Sequence, residues 1–155
     1  MELDPDLDLV LTREIAAPRE ILWACWTRPE HLVNWFVPRP HRVTACRLDP
    51  RSGGAFDTTF DVDGTVVENK GIYLHVVPQE KLVFTDTYTE GWKPAPDPFM
   101  TAIVTFEDIG GGRTRYTAVV RHRIAEAATT HREMGFHDGW GTAAAQLEAY
   151  ARGLA

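Results

Sequence analysis

Chemistry-bearing motifs are scarce in this sequence. It holds two cysteines, Cys25 and Cys46. They make neither a CxxC pair nor a disulfide framework, so reduced and mostly buried thiols are expected. Serine occurs once, as Ser52 in a glycine-rich turn, which leaves a Ser-His-Asp hydrolase unsupported. Neither a phosphate-binding P-loop nor a GxGxxG fingerprint is present, so no cofactor is expected. Six histidines are scattered without HExxH spacing or a Cys/His cluster, so no metal site is expected either. His131 and His137 would diverge by about 120° on one helix. No run approaches the ~20 apolar residues of a membrane span. The opening "MELDPDLDLV" lacks a basic region followed by an apolar run, so the expectation is no signal peptide and a cytoplasmic location. Basic excess is lacking too: 16 Lys and Arg face 22 Asp and Glu, for a net charge of -6. That balance gives no electrostatic reason to expect nucleic acid or an anionic membrane surface. Internal repeats and low-complexity tracts are absent.

What is present suits a single domain over residues 1–155, with its core at about 8–152. The composition is 44% hydrophobic and 25% charged. A chain of this length buries roughly two-thirds of its unfolded surface and needs no staples. "LDLVLTREI" (7–15) alternates as a strand. "APREILWACW" (17–26) and "RPEHLVNWF" (28–36) read as two short helices, each with a proline near its start. Period-two segments follow at 41–49, 55–62, 66–77, 81–89, 99–108 and 113–123. They are separated by turn signals such as "DG" at 63–64 and "IGGG" at 109–112. Short turns imply antiparallel neighbours. The expected class is α+β: a curved antiparallel sheet of about six to seven strands around one long C-terminal helix.

That helix is expected over 126–152. Phe136, Trp140, Ala143, Ala144, Leu147, Tyr150 and Ala151 form one stripe at 3.6 residues per turn. Continued toward the N-terminus, the stripe becomes polar. Thr129 and Glu133 take the inward direction, with His137 at its margin. An unpaired buried carboxylate is costly, so a hollow beneath residues 129–137 is expected. Gly135 and Gly139 border the stripe, where missing side chains leave free volume. A kinked helix with no cavity is the competing reading.

The segments "REIAAPREILWACWTRPEHLVNWFVP", "CRLDPRSGGAFDTTF", "GIYLHVVPQEKLVFTD" and "MGFHDGWGTAAAQLEAY" together resemble the START-like, helix-grip superfamily often labelled SRPBCC. Within it they resemble the branch named for the activator of heat-shock-protein-90 ATPase, whose bacterial members are loosely called polyketide-cyclase-like. Asp49, Arg51, Gly53 and Gly54 match its strand-turn-strand signature. The resemblance implies a curved sheet gripping the terminal helix, with a cavity between them.

The catalytic residues are unknown from the sequence. Glu133 and His137, at i, i+4, are candidates for acid/base work, and Asp86 is a third because it follows the Phe84 face. Trp35, Phe36, Trp92 and Phe99, in or next to loops and short helices, are placed to hold an apolar or planar ligand, and Trp140 of the helix stripe joins the ligand-binding set. Phe60, Phe84, Met100, Tyr116 and Phe136 complete the apolar set, with Asp86, Glu133 and His137 as polar members. Trp92, in "EGWKPAPDP", belongs to a loop that a lid would need. Three functions follow. The first is binding of a small apolar or aromatic ligand. The second is a cyclase-, aromatase- or hydratase-like enzyme. The third is a chaperone-accessory domain acting through its surface. A homodimer fits such families, although nothing in the sequence marks an interface.

Overall fold

The computed structural model describes residues 1–154. The chain opens with β1 (Asp8–Ile15), α1 (Arg19–Thr27) and α2 (Pro29–Leu32). Nine further strands follow: β2 (Arg42–Leu48), β3 (Phe56–Val62), β4 (Thr65–Asn69), β5 (Ile72–Val77), β6 (Lys81–Thr85), β7 (Tyr88–Thr89), β8 (Lys93–Pro94), β9 (Thr101–Gly110) and β10 (Arg113–Arg121). Two helices, α3 (Ala125–Glu133) and α4 (Phe136–Leu154), complete it. This is the α+β helix-grip arrangement: antiparallel strands face a C-terminal helix, and two short helices follow the first strand.

The strands form a five-stranded sheet in the order β1-β10-β9-β6-β5, a three-stranded sheet β2-β3-β4 and a small β7-β8 pair. The span 66–77, which alternates as one strand, is two strands in different sheets. Gly71 marks the break. A Cβ there would run into the Thr85 carbonyl, so only glycine lets the backbone pass. A bridge between Ala55 and Ile72 joins the two sheets, with Phe56 N–H donating to Gly71 O at 2.9 Å.

Alternation decides which face is covered. In β10, Tyr116, Ala118 and Val120 are buried, as are Ala102, Val104 and Phe106 in its neighbour β9. Leu9 and Leu11 of β1 join them, against Ala143, Ala144, Leu147 and Ala151 of α4. Glu148 of α4 accepts the Ala16 N–H at 2.7 Å and ties the helix to the end of β1.

The terminal segment is not the single helix that its periodicity predicts. Gly135 adopts φ +94° and ends α3, its N–H donating to Arg132 O at 3.1 Å. A left-handed residue just past a helix is the usual glycine stop. A new helix then starts, with Gly139 N–H donating to Gly135 O at 2.8 Å. The break re-aims everything before it.

Candidate functional site

A cavity of about 370 Å³ lies between the concave sheet and the α3–α4 junction. Each wall comes from a different element. Trp26 of α1 and Tyr116 of β10 form the inner end. The segment after α2 supplies Trp35, Phe36, Val37 and Pro38. Phe60 of β3 and Met100, just before β9, form the sheet side. Phe136, Gly139, Trp140 and Ala143 of α4 form the helix side. Met134 and Gly135 sit at the helix break, and Met134 is 73% exposed, so the cavity meets solvent there. The aromatic groups brace one another: Trp26 packs edge-on to Trp35 at 5.0 Å and to Phe36 at 5.5 Å.

The segment 35–39 is held by one side chain. Gln146 of α4 donates to Trp35 O at 2.9 Å and to Val37 O at 2.8 Å, and accepts the Arg39 N–H at 3.0 Å. Every hydrogen-bonding direction of that amide but one is used, so the cavity's loop wall is fixed to its helix wall.

His131 is the histidine in the wall. It reaches the cavity because α3 turns away at Gly135. His122, at the end of β10, stands behind it with 2.9 Å between His122 Nε2 and His131 Nδ1. His122 Nδ1 lies 2.9 Å from Leu7 O. A carbonyl only accepts, so His122 carries a hydrogen on Nδ1, and the tautomer with that single hydrogen offers Nε2 as an acceptor. In the uncharged pair, His131 therefore carries its hydrogen on Nδ1 and leaves Nε2 bare. Burial, and then the neighbouring His122 ring, push the His131 pKa down to about 4. Phe99 and Phe136 pack against the same ring at 4.9 and 5.1 Å.

The other polar groups lie at the inner end. Trp26 is 1% exposed, and its indole N–H has no hydrogen-bond partner. It is turned toward the Tyr116 hydroxyl without closing a bond. Burial raises the Tyr116 phenol far above its usual range, so it stays protonated.

Seven of the residues expected from sequence meet around this space: Trp35, Phe36, Phe60, Met100, Tyr116, Phe136 and Trp140. The others lie elsewhere, Phe99 packed on the His131 ring. Glu133 and His137 are exposed, as is Thr129, because the left-handed Gly135 turns α3 out of the line of α4. The two no longer share a helix, so their i, i+4 relation is lost. Asp86 is structural: its carboxylate accepts the N–H groups of Phe99 at 2.9 Å and Met100 at 3.1 Å. Phe84 is in the core, stacked on Phe56 at 4.4 Å, one layer behind the cavity. Trp92 is 52% exposed and lies over Gly53, where a Cβ would come within 2.9 Å of its ring. It anchors the β7-β8 hairpin on the β2-β3 turn, beside the paired Arg47 and Glu90.

Sequence reasoning passes over His131 because its partner His122 is nine residues away, across a strand–helix junction with no common period. Trp26 is legible only as a core residue of α1. Among the described residues no group of His, Cys, Asp and Glu is arranged to hold a metal ion. No helix among them is long and apolar enough to cross a membrane.

Residues 16–152 match the family model described as activator of Hsp90 ATPase homolog 1-like protein. No curated protein matches the chain. Among solved structures, protein NE0264 from Nitrosomonas europaea is 38% identical, covers 97% of each chain and superposes with a TM-score of 0.93. Protein Ms6760 from Mycobacterium smegmatis is 29% identical over 93% of this chain and 90% of its own, with a TM-score of 0.78. The AHSA1 protein from Silicibacter pomeroyi shares the fold at 24% identity, with a TM-score of 0.69 over 92% of this chain and 95% of its own.

Proposed function

The chain belongs to the activator of Hsp90 ATPase homolog 1-like family, and on that premise we propose that it binds a small apolar or aromatic molecule between sheet and α4. One observation carries the reading. The cavity is walled by Trp26, Trp35, Phe36, Phe136 and Trp140, with no Lys, Arg, Asp or Glu among its lining residues. Its volume of about 370 Å³ falls within the range of small-molecule sites. Apolar wall left facing water is unfavourable by roughly 25 cal/mol per Å², and a matching ligand recovers that energy.

The enzymatic alternative keeps only Tyr116 of the proton-moving residues it drew on, since Glu133 and His137 face outward and Asp86 is a backbone acceptor. For a surface-acting chaperone accessory, exposed apolar side chains are divided between β4 (Val66, Val67), the β7-β8 turn (Trp92) and the two ends of α3 (Ile124, Met134).

The test is native mass spectrometry of gently purified protein, paired with Gly139→Leu. Nothing lies within 4 Å of the position a Cβ would take at Gly139, which lines the cavity, so a larger side chain there starts in open space and takes up room a ligand would use. A bound small molecule is expected in the wild type. Its affinity should fall at least about tenfold in the variant, or about 1.4 kcal/mol. Equal binding by both proteins would place the ligand elsewhere.

A further inference from the structure

Resting on the reading of the cavity as a ligand site, we infer that its ligand is an uncharged aromatic molecule bearing a hydroxyl, whose hydrogen is donated to His131 Nε2. The acceptor is built by the fold. Leu7 O fixes the hydrogen of His122 on Nδ1, and His122 Nε2 in turn fixes that of His131 on Nδ1. His131 lines the cavity, and its Nε2 lone pair has no partner within the protein among the described residues. An apolar ligand without a donor would cover that nitrogen and leave it unpaired, which costs more than the bond itself contributes.

The inner end asks for a matching acceptor. Trp26 offers an indole N–H that closes no hydrogen bond, beside the Tyr116 hydroxyl. A ligand oxygen reaching that end would accept from the phenol while the phenol oxygen receives the indole N–H. Charge is disfavoured at both ends, because no lining residue supplies a counter-ion. His131 does not supply one either: it stays neutral at pH 7, its pKa lowered to about 4.

The experiment is a protein-observed NMR titration at pH 7.5, following the indole N–H signals of Trp26, Trp35 and Trp140. The probes are 2-naphthol, 2-methoxynaphthalene and 2-naphthoate. They share one ring system and differ in donor and charge. The wild type should bind 2-naphthol about 5- to 10-fold more tightly than the methyl ether, the scale of one hydrogen bond in an apolar site. It should bind the carboxylate most weakly. In His131→Leu the preference for the hydroxyl should collapse to near unity while the ether still binds. His131→Gln keeps an acceptor oxygen, should restore part of the preference, and guards against misfolding of the leucine variant. Equal wild-type affinities for naphthol and ether would overturn the hydroxyl inference and leave the cavity reading standing. So would a preference that survives His131→Leu. If no probe perturbs the cavity indoles, the cavity reading falls and this inference with it.

Discussion

A half-buried histidine kept neutral makes stability depend on pH in a definite direction. His131 titrates near 4 in the folded chain, against a reference of 6.5. Between those values the unfolded ring takes up a proton that the folded ring refuses. Its contribution is therefore complete above about pH 6.5, and is lost as the pH falls toward about 4. At pH 5 the loss is at most about 2 kcal/mol, and solvent screening of the half-buried ring reduces it. Chemical denaturation of wild type and His131→Leu at pH 7 and pH 5 should show the variant losing less stability on acidification, by up to that amount. Parallel losses would mean that other groups carry the acid sensitivity. Two glycines make opposite predictions. Gly135, at φ +94°, should lose about 1–2 kcal/mol on substitution by alanine, because a side chain strains that backbone. Gly139 is inside α4 with nothing near its missing Cβ, so Gly139→Ala should gain up to about 1 kcal/mol. Urea midpoints for the pair would separate the two roles. Both glycines are visible in the sequence. Their opposite roles are not, since φ follows from where the chain must turn.

At the scale of elements, the cavity depends on contacts that local pattern does not encode. Gln146 joins α4 to the 35–39 segment through two donated bonds and one accepted bond. Gln146→Ala should cost roughly 2 kcal/mol, as two carbonyls and an amide lose a partner. It should also weaken ligand binding, because the wall of Trp35, Phe36, Val37 and Pro38 is freed. Hydrogen exchange should show faster opening at Arg39, whose N–H the glutamine holds, and unchanged exchange there would remove Gln146 from this role. The strands after α2 were readable from alternation, including the inward Tyr116, Ala118 and Val120. The division at Gly71 was not, because β4 and β5 alternate alike and differ only in their partners. Asp86 was singled out by its face. Its use as an acceptor for two backbone N–H groups arises from a loop that returns thirteen residues later. Asp86→Asn retains only one carboxamide oxygen and should lose about 1–2 kcal/mol without changing ligand preference.

For the molecule as a whole, an occupant of the cavity binds the folded state alone and should raise its melting temperature. A hundredfold excess over Kd corresponds to about 2.7 kcal/mol. Burying apolar wall should also give a negative heat-capacity change in calorimetry, and a value near zero would argue for a surface site. The sequence by itself determined the α+β class, the antiparallel run, the family resemblance and the aromatic side of the cavity. Those follow from periodicity, turn residues and side-chain size, which act locally or along one face. Only the tertiary structure decided which polar groups meet the cavity. A single left-handed glycine swings Glu133 and His137 to solvent and brings His131 in. Its tautomer is then set by a carbonyl of a distant residue, Leu7, through His122. Such choices depend on the direction of one backbone turn and on neighbours far apart in the chain, and neither has a period for a sequence to display.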